Sequence, residues 1–232
     1  MSIEFRTLTE FSADLDEFAD SPLGFADHVT KLSDVRVTRI AVEKTRTQIN
    51  SALREHFDAG DIYGTTADGP VTLRLSAASE VVVKRAVESA VVKKTNPLAW
   101  ADSVTLVPYT AVRSPKGTAS PEVDLPEVDP QDSLDTLLAL RDALPAVSVL
   151  KAAEEEHLDA LRRIAVICCW DGQERVFADG WKISLARLQF DAETFKVRHP
   201  VLFDRLAVEK SYGGTQRLLV SAVDPAAEEV HA

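Results

Sequence analysis

Five histidines and two cysteines are the side chains best suited to hold a metal or act as nucleophiles in this 232-residue chain. His28, His56, His157, His199 and His231 are scattered, with no pair at helical ligand spacing and no cysteine nearby, so the spacing offers no metal site. Cys168 and Cys169 are adjacent, between Ile167 and Trp170. Neighbouring cysteines cannot close a useful loop and two alone do not make a zinc site; they read as buried thiols in a reducing compartment. The phosphate-cradling GxxxxGK[ST] and GxGxxG patterns are missing, as is a GxSxG elbow. Gly213-Gly214 could turn around a phosphate, but reads more simply as a loop before a last strand. Neither catalysis nor a cofactor is expected.

Binding signals come from charge. The net charge of −11 argues against nucleic acid until its distribution is mapped. Residues 1–30 carry seven acids and one base, and residues 117–150 repeat that imbalance. Residues 31–116 carry thirteen bases and nine acids. Residues 151–220 balance, and the last twelve add three acids. The acidity therefore sits in an arm, a linker and a tail. Arg36, Arg39, Arg46, Arg74, Lys84, Arg85, Lys93 and Lys94 could form a basic face in the first half, joined by Lys182, Arg187, Lys196 and Arg198 in the second. Such side chains hold phosphates without reading sequence. The same pattern fits a solvated helix surface with ordinary salt pairs.

The elements that would position these residues run in the same order twice. The linker SPKGTASPEVDLPEVDPQD (114–132) is acidic and proline-rich, and divides the chain. It reads as extended, or as an edge segment lying along a domain surface. In the first half a helix over 35–57 is followed by a hairpin at Asp68-Gly69, whose second strand alternates Val71, Leu73 and Leu75. A second helix is predicted from about Ser79 to Asn96-Pro97, then Trp100 and a closing strand ending near Arg113. In the second half a helix over 148–170 precedes a hairpin at Asp179-Gly180. A short helix from Phe190 to Arg198 then stops at His199-Pro200, followed by Phe203 and a last strand with Arg217. The Asp-Gly turns lie 111 residues apart and the prolines 103. The eight-residue difference is about two helical turns, so a helix could absorb it without rotating its apolar face. Gly69, Pro97, Trp100, Gly180, Pro200 and Phe203 are expected to be structural: turn glycines, helix stops and aromatic plugs.

The sequence thus predicts an α+β protein of two related α-ββ-α-β modules, each a long helix with a small antiparallel sheet. The expected divisions are an acidic amphipathic arm (1–33), a mildly basic module (34–113), the linker (114–132), a second module (133–223) and an acidic tail (224–232). In the arm, Leu8, Phe11, Leu15 and Phe18 form an apolar stripe opposed by carboxylates. That stripe could dock on the protein itself, on a partner, or in a nuclease's DNA channel as a charge mimic.

Residues 180–220 resemble the carboxyl-end segment of YqaJ-type viral recombinase exonucleases, through Gly180, Lys182, Phe190, Asp191, Phe195, Lys196, His199, Pro200, Phe203 and Arg217. The likeness covers about the last third of the chain and loosely repeats in the first half. A weaker likeness is to Gam-type phage DNA-end-binding proteins. The family's nuclease core needs an Asp and a Glu-x-Lys on adjoining strands to hold Mg²⁺, and that arrangement is missing here: Glu193 and Lys196 are spaced differently, and Glu122, Asp124, Glu127 and Asp129 lie in the linker. The resemblance therefore implies a non-catalytic accessory protein of phage or prophage DNA recombination. Its expected partners are duplex DNA, including ends, or a separately encoded exonuclease, with homo-oligomers allowed. An inhibitor of a host nuclease or defence enzyme and a virion or assembly protein are the alternatives. The apolar runs are too short to span a bilayer and the amino terminus lacks signal-peptide character, so a cytoplasmic location in a bacterial host is expected.

Overall fold

A computed structural model describes residues 6–18, 24–119 and 121–223; the predicted tail, 224–232, lies outside them. The chain runs α1 (Leu8–Phe18), α2 (Phe25–Ala59), β1 (Tyr63–Thr66), β2 (Gly69–Leu75), β3 (Val82–Ala86), α3 (Ser89–Thr95), α4 (Pro97–Ala101) and β4 (Val104–Arg113). It continues with α5 (Leu134–Ala143), α6 (Val147–Ile167), β5 (Arg175–Val176), β6 (Lys182–Phe190), α7 (Ala192–Arg198), α8 (Pro200–Leu206), β7 (Val208–Tyr212) and β8 (Leu218–Ala222). The protein is α+β, with small antiparallel sheets.

The hairpins form where the Asp-Gly pairs lie. Thr66 faces Gly69 across the first turn, and Gly69 takes a φ of +123° that an L side chain rarely adopts. At the second turn Gly180 has φ +92°, and Asp179 Oδ2 accepts the Leu8 N–H at 3.0 Å. That contact ties the second hairpin to the start of α1. Thr7 and Glu10 close a reciprocal capping box there: the Glu10 N–H donates to Thr7 Oγ1, and the Thr7 N–H donates to Glu10 Oε2.

Two expectations are corrected. The helix predicted from Ser79 is not one element: Val82–Ala86 is strand β3, and helix begins only at Ser89. The run Val81-Val82-Val83 favours a strand, and β7 supplies the hydrogen-bonding partner. The eight-residue difference between the halves also does not lengthen a helix. In the second half β6 runs unbroken from Lys182 to Phe190, whereas its first-half counterpart is split into β2 and β3 by residues 76–81. Helix α5 is an addition to the expected elements; Ser133 caps it by accepting the Thr136 N–H at 3.3 Å.

Strand pairing crosses between the halves in a reciprocal way. The split strand β2/β3 pairs with the split closing strand β8/β7, and unbroken β6 pairs with unbroken β4. A bulge between Pro108 and Ala111 accommodates the proline, which cannot donate to the ladder.

The chain forms two compact units, each drawn from both halves. Of the described residues, unit 1 comprises 6–18, 24–34, 81–119 and 153–212; unit 2 comprises 35–80, 121–152 and 213–223. In unit 2, Val42, Ile49 and Leu53 of α2, Val71 and Leu73 of β2, and Leu134, Leu137 and Leu138 of α5 make one core. Leu125 and Val128 of the linker pack against it, so that part of the acidic segment lies along a domain surface. Gly64 is required there: a Cβ would stand 2.8 Å from Leu138 Cδ1 and 3.0 Å from Leu134 Cγ. Unit 1 has two cores. The first joins Leu8, Phe11 and Leu15 to Phe25, Val29, Leu32, Leu158, Leu161, Ile164, Phe177 and Ile183. Three of the four arm residues proposed as partner contacts are thus spent in the protein's own core. Only Phe18, 97% exposed, remains outside.

Candidate nucleic-acid interface

The second core of unit 1 carries the helix pairs on which Lys93, Lys94, Lys196 and Arg198 sit. It is built from corresponding positions of two copies of one motif, strand–helix–X-Pro–helix–strand, offset by 103 residues. Val87, Val92, Ala99 and Trp100 come from the first copy, and Phe190, Phe195, Leu202 and Phe203 are their counterparts in the second. The backbone agrees. Asn96 has φ/ψ of −142°/68° and His199 −132°/57°; each sits between the two short helices, followed by proline at N1. Trp100 and Phe203 are the predicted aromatic plugs, and Pro97 and Pro200 start α4 and α8 rather than merely ending the preceding helices.

The copies also match in electrostatic detail. Lys93 Nζ lies 4.6 Å from the centre of the Trp100 ring, and Lys196 Nζ lies 5.6 Å from that of Phe203. Leu98 and Val201, one residue past each proline, are 81% and 80% exposed. Two arginines tie copy to copy. Arg85 donates to the Asp204 carboxylate and carbonyl, both at 2.9 Å, and Arg198 donates to the Asp102 carbonyl at 2.8 Å.

Beside the helix pairs stands the two-stranded ribbon β3–β7, with Val82, Val83, Val208 and Tyr212 exposed. Its register sets Lys84 directly opposite Lys210, a destabilising like-charge pair on one face. Glu88 relieves part of this by accepting from Lys210 Nζ at 2.9 Å, which raises the Lys210 pKa and lowers that of Glu88. Lys84, Lys94 and Lys182 are exposed and, among the described residues, make no hydrogen bond or ion pair. Arg187 lies 4.2 Å from the centre of the Tyr109 ring and bonds Gln189. Residues 81–119 and 182–212 together carry twelve Lys and Arg against six Asp and Glu.

Four of the predicted basic residues belong to unit 2, and all four are engaged. Arg39 donates to Glu43 at 2.6 Å, Arg46 to the Leu144 and Pro145 carbonyls, and Arg74 to Ser221 Oγ at 2.8 Å. Arg36 is half-buried on α2 and also engaged. The remaining eight, Lys84, Arg85, Lys93, Lys94, Lys182, Arg187, Lys196 and Arg198, all belong to unit 1.

The cysteines differ from each other. Cys168 is half-buried, but Cys169 is exposed rather than buried. It takes the left-handed position past the end of α6 (φ 52°), where the Trp170 N–H reaches the Ala165 carbonyl in a Schellman closure. Sequence spacing also missed a histidine pair: His28 and His157, 129 residues apart, meet with their Nδ1 atoms at 3.2 Å. Only the fold brings them together. No group of three or more His, Cys, Asp or Glu side chains suited to a metal ion occurs among the described residues. None of their helices is long and apolar enough to cross a membrane.

The comparisons add no relative. The chain matches no protein-family model, no curated protein and no solved structure.

Proposed function

We propose that this chain is a non-catalytic DNA-binding protein that holds duplex DNA through the basic ribbon and helix pairs of unit 1. The observation that carries the reading is Lys84 facing Lys210 on an exposed two-stranded ribbon. Glu88 neutralises Lys210 but leaves Lys84, directly opposite, without a partner among the described residues, so a phosphate would relieve the like charge that remains; a two-stranded ribbon also fits the major groove of B-form DNA. Lys93 and Lys196, each over an aromatic ring, and Lys84, Lys94 and Lys182, which have no partner among the described residues, supply further phosphate contacts. Such contacts are independent of base sequence and weaken with salt through counterion release. A place in phage recombination, beside an exonuclease encoded separately, rests on the resemblance of residues 180–220 and belongs to the same proposal. The reading as an acidic nuclease inhibitor has less support, because Leu8, Phe11 and Leu15 of the arm are buried in unit 1.

A gel shift with linear and circular duplex DNA across a salt series tests this reading. Binding that falls steeply with salt supports it, and preference for linear DNA identifies ends as the target. No binding at low salt overturns it.

A further inference from the structure

We propose that His28 of α2 and His157 of α6 form a weak two-imidazole site for a divalent transition metal of the zinc class. Their Nδ1 atoms stand 3.2 Å apart, with ring centroids at 5.4 Å and planes at 53°. Zinc–nitrogen bonds of about 2.0–2.1 Å in a tetrahedral arrangement place two donor atoms roughly 3.3 Å apart, so the observed separation matches the span of two ligands on one ion. As a hydrogen bond the same contact sits at the long end of the usual range. A neutral pair also needs one ring protonated at Nδ1 and the other bare there; when the metal binds, the first ring carries its proton on Nε2 instead, leaving both Nδ1 atoms free to ligate.

The backbone at both histidines is anchored by the neighbouring helix residues. Val29 and Leu32 follow His28 into the core, and Leu158 and Leu161 follow His157 into the same core. The carboxyl of Asp27 interacts electrostatically with both imidazoles and lowers the cost of bringing in a cation. Lys31 and Arg163 oppose it, and Lys31 bonds Asp27 at 2.7 Å. With no third protein donor among the described residues, solvent completes the coordination and binding is reversible. An ion there would link α2 to α6 within unit 1 and stabilise the fold by mass action.

The test is calorimetric titration and thermal melting of the full chain with Zn²⁺ alone, in a non-chelating buffer. Wild type, His28→Asn, His157→Asn, His56→Asn and Cys168→Ser/Cys169→Ser are compared, with metal-free melting to confirm that each variant folds. The expected result is one saturable site and a metal-dependent rise in Tm. Both should be lost in His28→Asn and in His157→Asn, and kept in the other two variants. Unchanged isotherms in the His28 and His157 variants, loss confined to the cysteine variant, or no binding by wild type would each overturn the proposal. Should one histidine variant fail to fold, the other decides. DNA binding plays no part in the outcome, so the two proposals fail separately.

Discussion

Asp191 and Glu88 occupy the same position in the two copies of the helix-pair motif, at the N-caps of α7 and α3. The Thr194 hydroxyl, then the N–H groups of Thr194 and Glu193, donate to Asp191 and hold its pKa below the ordinary 3.8. Lys210 does the same for Glu88, below the ordinary 4.5. A depressed carboxylate stabilises the fold fully above its unfolded pKa, and that contribution is lost as pH falls through the folded value. Stability is therefore expected to hold from neutrality down to about pH 4.5 and to decline below it. Denaturant melts at pH 7, 5, 4 and 3 check this, and Asp191→Asn should flatten the lower end of the profile. Two further substitutions probe unit 2. Ser133→Ala removes the cap of α5 and should cost about 1 kcal/mol in a urea melt. Gly64→Ala drives a Cβ into Leu134 and Leu138 and should destabilise by roughly 1–3 kcal/mol, as overpacking does.

Among the elements, the two long helices, both hairpins and both proline stops were legible in the sequence, although α2 begins at Phe25, ten residues before the expected start and within the expected arm. Their signals are local: apolar stripes, Asp-Gly pairs and X-Pro. What escaped was settled by partners distant in sequence. Val82–Ala86 is a strand because β7 lies 122 to 130 positions further along the chain in register with it. The reciprocal exchange of strands between the halves leaves no mark on either half alone. The site was legible as a composition of basic residues but not as a surface. Arg39, Arg46 and Arg74 look like the others in sequence yet are engaged inside unit 2, and Arg85 and Arg198 bind copy to copy. At this scale the duplicated core is the element to test. Phe195 is fully buried between the helix pairs, and Phe195→Ala should cost about 3–5 kcal/mol by thermal or chemical melting, while exposed Val201→Ala should cost little.

For the whole molecule, the opposition between an acidic chain and a basic local surface decides what the protein can hold. Sequence-wide charge favours solubility, whereas in unit 1 Lys84 of the ribbon, Lys94 of α3 and Lys182 of β6 have no partner within the described residues. The most direct test of the central claim is the salt dependence of affinity for a linear duplex. Fluorescence anisotropy would compare wild type with the variant Lys84→Gln/Lys94→Gln/Lys182→Gln; these lysines make no hydrogen bond or ion pair among the described residues and Lys84 faces Lys210, so the variant should melt no lower than wild type. The account predicts a linear fall of log affinity with log salt. In the variant, binding should weaken at every sequence tested and the slope should shrink by roughly 2–3, about 0.9 for each phosphate no longer neutralised. Equal affinity and slope in the two proteins would contradict it.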